Sequence, residues 1–529
     1  MRMAAFDLIE EPWIPVTREN GVAEELGLRE VLLTAGKIRE IRDPLPIVEL
    51  GLYRLLIALV MDIFELTSEN RLGELLNSGG FAANRIEAYF DKHRDRFDLF
   101  DERRPFLQTP GMAEKDARPL AGLVPSTPSG TAAAHFHHGH ETEFAVSPPA
   151  AARLLTTIAP FMTAGGAGLS PSINGAPPWY VLVGRSNLFE ILCLNCYAGP
   201  LNETGMQGPA WRGDCREEAG RRKGATRLEA LTWQPRRIRL IPDGPGRCSL
   251  TGRESAVIVR EMKFAPGAAC DFAWSDPNVA YRITSEKRTP IRPQEGKQLW
   301  RDTGPLALLH HADIGSQEGK KIQFERPAVV SQFARLSRTA LRDRDRKGNA
   351  RTLSLQVYGM RTDMKMKVFE WQRETLHLPV PLLWNSRYQR IAQDAIEQAE
   401  AASSRLGMAI KHAYPRDGQG NKSAFASLIA RAQRGYWERL RPEYNRLLED
   451  LSELPVEGAE EAQRLPQIEW EQAVRRIGRK VLDEAIDDLD TDAAALQRSV
   501  NARRFFQNAL NKLFAPPGGR PAKAARSST

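Results

Sequence analysis

Apolar and polar positions alternate on both sides of a turn within residues 353–371. Leu353, Leu355 and Val357 alternate with Ser354, Gln356 and Tyr358. Beyond Gly359, Met364, Met366 and Val368 alternate with Lys365, Lys367 and Phe369. Period-two patterning about a Gly/Thr/Asp turn predicts a β-hairpin, with Arg361, Asp363, Met364 and Lys365 at its tip. The chain changes character there. Upstream, short strands are predicted around Trp13, at 179–183, 236–241 and 255–264, and an aromatic-rich turn and strand at 97–108. Helical spacing covers 26–33, 47–64 behind Pro46, 69–77, 82–93, 149–162 and 188–197, while the pattern at 306–314 and 328–340 assigns neither helix nor strand. Downstream, apolar residues recur at helical spacing from Tyr388 to Leu406, over 425–451 with a break expected at Pro442, from Trp470 to Ala485, and over 496–514. Four such segments predict a helical bundle.

Two stretches have neither period. Residues 123–144 are rich in Pro, Gly, Ser, Thr, Ala and His, as a long loop would be. The final residues, 516–529, are Pro/Gly/Ala/Ser-rich and basic, and are expected to be disordered. The predicted fold class is therefore α+β. A large mixed domain spans 1–378 and includes the hairpin, a four-helix bundle spans 379–515, and the basic tail follows.

The chain has 529 residues, too many for one ordinary core. A hydrophobic share of 42% with 26% charged residues is that of a soluble globular protein. No apolar run has membrane-spanning length, and the N-terminal stretch turns acidic too early for a secretory signal. Five cysteines are a poor disulfide framework for this length, so a reducing cytoplasm is expected. Lys and Arg exceed Asp and Glu by 74 − 66 = 8, with dense clusters at 221–223, 236–239 and 342–347. Such clusters neutralise phosphates or form a solvated surface.

Candidate chemistry is sparse. His135, His137, His138 and His140 with Glu141 could bind a transition metal, with His310, His311 and Asp313 as a second half. That pattern supports an alternative reading as a metal-dependent hydrolase or nuclease. Adjacent histidines in a loop, however, are rarely preorganised. Cys193 and Cys196 have metal or redox spacing but follow an apolar run, so they are expected in the core. There is no phosphate-binding GxxxxGK[ST] loop and no GxSxG elbow, and the glycines at 165–168 lack a dinucleotide fingerprint's context. No catalytic site is visible and no cofactor is expected. A scaffold subunit that only binds partners is the third reading.

Five stretches together resemble the CasA family, the large subunit of type I-E CRISPR Cascade surveillance complexes. They are LIEEPWIPV from Leu8, RRPFLQTPG from Arg103, LTWQPR from Leu231, GMRTD from Gly359 and YWERL from Tyr436. They occur in the family's order over most of the chain. The resemblance implies a mixed N-terminal domain followed by a four-helix bundle. It implies a non-catalytic subunit that recognises the protospacer-adjacent motif in double-stranded target DNA, helps unwind the duplex for R-loop formation and docks a helicase-nuclease. Its partners would be the other Cascade subunits and the guide RNA, with no membrane. In such complexes base pairing reads the long target and protein reads a short duplex tag.

The resemblance also places site residues. The family's glycine turn matches 165–168, with Gly165 and Gly166 approaching DNA; glycine permits close backbone approach. The motif-reading lysine matches Lys263, whose ammonium could reach minor-groove acceptors. The loop around Phe136 matches one that contacts DNA or the complex near the guide's 5′ end. The hairpin tip, with Arg361, Met364 and Lys365, matches a wedge that commonly carries glutamine; a methionine wedge unstacks bases with less hydrogen bonding. Many relatives hold a structural zinc with two cysteine pairs. Here Cys248 is the one cysteine left of the second pair and the first is replaced around 146–149, so no zinc is expected.

Overall fold

The computed structural model describes residues 5–112, 117–124, 144–165, 168–199, 208–213, 220–285, 287–317, 320–342, 352–362, 368–414, 422–455, 462–489 and 492–515. The chain divides into two compact units. One comprises Met1–Glu295 and Pro305–His377, the other Gly296–Gly304 and Leu378–Thr529. Among the described residues, no helix is long and apolar enough to cross a membrane.

The first unit is built around the helix Pro46–Phe64. Proline at its first turn costs no hydrogen bond, and every residue from Ile47 to Phe64 is buried. A helix apolar on all sides must be enclosed. It packs against the helices Pro148–Thr156 and Leu188–Asn195 and the hairpin strand Thr352–Thr362. Around it lie small sheets of two to four strands among the described residues. Trp13 and Ile14 open the first sheet and are fully buried. Cys193 and Cys196 are buried beside the central helix, where the Cys196 thiol faces the Ile57 carbonyl and burial pushes its pKa up.

The hairpin consists of Thr352–Thr362 and Val368–Pro379, and its first strand pairs antiparallel with Tyr180–Gly184. The second strand runs further than its alternation indicated. Residues 97–108 form turns rather than a strand, linked to the N-terminus by a single bridge between Asp7 and Asp98. The reason is local: the Asp98 and Asp101 side chains accept backbone N–H groups of Phe100, Arg103 and Arg104, in competition with a ladder. The strand expected from Ser255 begins at Ile258.

The second unit is a four-helix bundle of Ser386–Ala413, Lys422–Glu453, Arg464–Ile486 and Ala493–Leu513. Asn385 caps the first helix and Asp492 the last. Small residues on the first helix, Ala392 and Ala399, admit Tyr444 and Tyr436, whose hydroxyls donate to those alanines' carbonyls at 3.3 and 3.2 Å. Pro442 does not break the second helix, which continues unbroken to Glu453. Burial of Trp437, Leu440, Tyr444 and Leu448 on both sides outweighs the one missing donor. The segment Gly296–Gly304 belongs to this unit by packing. Trp300 lies against Trp437 and Tyr444 at ring distances of 5.7 and 5.2 Å.

Candidate nucleic-acid interface

A three-stranded antiparallel sheet supplies the frame. Ile258–Pro266 is its central strand, between Ala117–Pro119 and Arg236–Asp243. Lys263 stands opposite Ala117 on one side and Arg239 on the other. Its stem is half-buried, and its ammonium donates to the Met112 carbonyl. The lysine is thus tethered to Met112, the residue that follows the RRPFLQTPG stretch.

The glycine turn meets the end of the same strand. Gly165 N–H donates to the Leu169 carbonyl at 3.3 Å, and Ser172 N–H to the Met162 carbonyl at 2.7 Å. Gly168 has φ +79°, which only glycine adopts without strain, and a Cβ there would lie 3.9 Å from Pro266 Cγ. Pro266 is three residues from Lys263, about 10 Å along a strand. Gly165 and Lys263 are therefore carried on one frame. Gly166 lies outside the described residues, as do Phe136, Met364, Lys365 and the histidines at 135–140.

The basic run 236–239 is not a phosphate-facing patch. Arg236 donates to the carbonyls of Thr163, Ser170 and Pro235, Arg237 to Pro266, and Arg239 to Phe100 and Asp101. These guanidiniums satisfy internal carbonyls. The signal was present in the sequence: Arg236 is in phase with Ile238 and Leu240, which face the core. Arg361, at the end of the first hairpin strand, is likewise engaged. It pairs with Glu370 at 2.9 Å and Glu295 at 3.3 Å and lies 4.6 Å over the ring of Phe369, which is 47% exposed.

The hairpin stem is anchored through a buried carboxyl. Glu49 of the central helix accepts from the Tyr358 hydroxyl at 3.2 Å and from Asp43 N–H at 3.2 Å. It also lies 3.1 Å from Arg373 of the second hairpin strand, which pairs with Glu40 at 2.6 Å. Burial pushes the Glu49 carboxyl up to about 8, outweighing the Asp43 N–H, Arg42 and Tyr358. A carboxyl that binds its proton more tightly when folded stabilises below its ordinary value of 4.5, and the contribution is lost as pH rises through about 8. Urea unfolding of the wild type is expected to grow easier between about pH 4.5 and about pH 8, and Glu49→Gln to flatten that part of the slope. Identical slopes in the two proteins would exclude Glu49 as the source.

Cys248 is buried in a tight turn closed by Gly252 N–H on its carbonyl at 2.8 Å. Ser249 N–H donates to Ala145 at 2.7 Å, and Val146 bridges to Val259. The two segments matched to the zinc pairs are thus adjacent and held by backbone hydrogen bonds. Burial would raise the Cys248 thiol, but hydrogen bonds from Thr251 and Ser147 bring it below its usual value. Among the described residues, no three His, Cys, Asp or Glu side chains are grouped to hold a metal. His310, His311 and Asp313 fall on the strand His310–Gln317, and their side chains lie outside the described residues.

A mixed α+β unit with a long hairpin, followed by a four-helix bundle, is an architecture found in solved CasA structures. Thermus thermophilus CasA (Cse1) superposes with a TM-score of 0.73 at 24% identity, covering 96% of this chain and 99% of that one. A chain of a structure described as a CRISPR RNA-guided surveillance complex also gives 0.73, at 19% identity, covering 95% of this chain and 99% of its own. In sequence, the CRISPR-associated protein CasA/Cse1 of Thermus thermophilus is 29% identical over 96% of this chain and 95% of its own length. The model of the family CRISPR-associated protein Cse1 matches residues 7–481, and the chain belongs to that family.

Proposed function

We propose that this chain is the DNA-recognising large subunit of an RNA-guided CRISPR surveillance complex. It reads a short protospacer-adjacent motif in double-stranded DNA, helps open the duplex for guide pairing and docks a helicase-nuclease. In this reading the chain is itself non-catalytic, and its partners are the other Cascade subunits, the guide RNA and the target. Family membership supports the reading, as does the fold it shares with a chain of a surveillance complex. The observation that carries it furthest is the common frame of Lys263 and the glycine turn, residues about a hundred positions apart in sequence. A closely approaching backbone with an ammonium beside it suits the minor groove, whose edges present mainly acceptors. Gly165, Gly166 and Lys263 are assigned to motif reading, Phe136 to the complex or DNA near the guide's 5′ end, and Arg361, Met364 and Lys365 to strand separation.

The assembled complex is expected to bind target duplex in a salt-sensitive, motif-dependent manner. Equal affinity for duplexes with every flanking sequence would refute the assignment and favour a scaffold role. Lys263→Ala is expected to weaken motif-dependent capture by about fivefold to a hundredfold, the range of one groove contact. Met364→Ala combined with Lys365→Ala is expected to leave initial capture intact and to reduce permanganate reactivity of the unpaired target. Unchanged reactivity in that double variant would remove the hairpin tip from the opening step.

A further inference from the structure

The LTWQPR stretch has an anchoring half and a polar half. Trp233 is buried in a cluster with Ala159, Ile173 and Ala268, and Leu231 is buried in the short helix before it. Arg236, at the start of its strand, is only 1% exposed. Among the described residues it is paired with no carboxylate. Its Nη2 donates to Thr163 at 2.8 Å, and its Nη1 to Ser170 and, at 2.8 Å, to Pro235. Burial lowers its pKa to about 10, which leaves it charged at neutral pH. A guanidinium buried without a counter-charge is costly, and an apolar side chain would fill the same phase of the strand beside Ile238 at lower cost. What the guanidinium adds is geometry, because one rigid fork fixes carbonyls from two separate stretches.

Those carbonyls bracket the glycine turn. Thr163 precedes Gly165 and Ser170 follows Leu169, the two residues whose backbone bond closes the turn. Arg236 also stands opposite Pro266 in the ladder, the residue that Gly168 faces. We infer that Arg236 is the positioning residue of the motif-reading turn, clamping both its ends to the sheet that carries Lys263 and so setting the spacing between turn and lysine. This inference rests on the recognition role proposed above.

The test uses the assembled complex with Arg236→Lys and Arg236→Gln, so that one variant remains if the other does not fold. Arg326→Lys is the control. Arg326 is also a buried arginine, donating to the carbonyls of Ala307 and Leu308 and to the Ser331 hydroxyl, none of which belongs to the turn. Two quantities are read: the ratio of affinities for duplexes with the correct and a scrambled flanking motif, and amide exchange over 163–172. Arg236→Lys is expected to lower the ratio by about tenfold, with faster exchange in the turn and unchanged affinity for scrambled duplex. Arg326→Lys is expected to keep both the ratio and the turn's protection. A folded Arg236 variant with the wild-type ratio overturns the inference and leaves the recognition role standing. An equal loss of the ratio in Arg326→Lys overturns it as well, because any buried arginine would then serve. A wild-type complex with no motif preference overturns the recognition role, and this inference with it.

Discussion

Arg54→Met is expected to lower the unfolding free energy by about 3–5 kcal/mol, the usual cost of removing one partner from a buried ion pair. Arg54 sits in the middle of the central helix, 1% exposed, with its Nη1 3.0 Å from Asp276 Oδ2. Its guanidinium also lies 5.1 Å from the Tyr180 ring. Asp276 accepts further hydrogen bonds from Asn174 Nδ2 at 2.9 Å and Asn278 N–H at 3.0 Å. Without Arg54 a carboxylate would remain in the core with only neutral donors. Asp276→Asn alone is expected to be comparably damaging, because the arginine is then left unpaired. The double variant Arg54→Met/Asp276→Asn should recover a large part of the loss, since neither charge remains to be buried. Urea unfolding of the four proteins measures this directly. Strictly additive losses would show that the two residues are not coupled.

Gly359→Ala is expected to cost about 1–3 kcal/mol, as overpacking of a filled core does. A Cβ at position 359 would lie 2.4 Å from Trp179 Cε3 and Cζ3 and 2.8 Å from Pro293 Cγ. Trp179 cannot easily withdraw. It is 1% exposed, and its backbone N–H is bonded to the Ile291 carbonyl at 2.9 Å. The strand must therefore move away from the indole, which shifts the stem of the hairpin. Trp179→Phe, which opens space on that side, is expected to be destabilising alone and to offset part of the Gly359→Ala loss in combination. The measurement is again denaturant unfolding of the single and double variants. A Gly359→Ala protein as stable as the wild type would mean that the strand yields at no cost.

The glycine of GMRTD is thus explained by an indole from a distant part of the sequence, which marks the limit of what the chain alone discloses. Features written in local period were legible. The hairpin alternation, the proline-led central helix and the four amphipathic segments all follow from residues a few positions apart. Features decided by distant partners were not. Pro442 looks like a helix break until the tyrosines and tryptophans around it are seen to be buried. Residues 97–108 have the composition of a strand, but two aspartates turn the backbone on itself. In the candidate interface, residue types could be matched to roles, yet the pairing that carries Lys263 and the glycine turn on one sheet is a property of register. The arginine run showed its charge in sequence, and only the phase of Arg236 with Ile238 and Leu240 pointed to a guanidinium directed inward.

The Trp300 segment has a consequence for how the chain can be made and divided. It leaves the ribosome well before the helices it packs against, so the bundle's aromatic core is completed from a piece synthesised earlier and held in reserve. A gene truncated to begin at Leu378 would encode all four helices, yet its product would lack Trp300 and leave Trp437 and Tyr444 without that ring contact. The bundle is therefore not a cassette that recombination could move between proteins as one continuous exon-like block. Any transplant has to bring residues 296–304 with it.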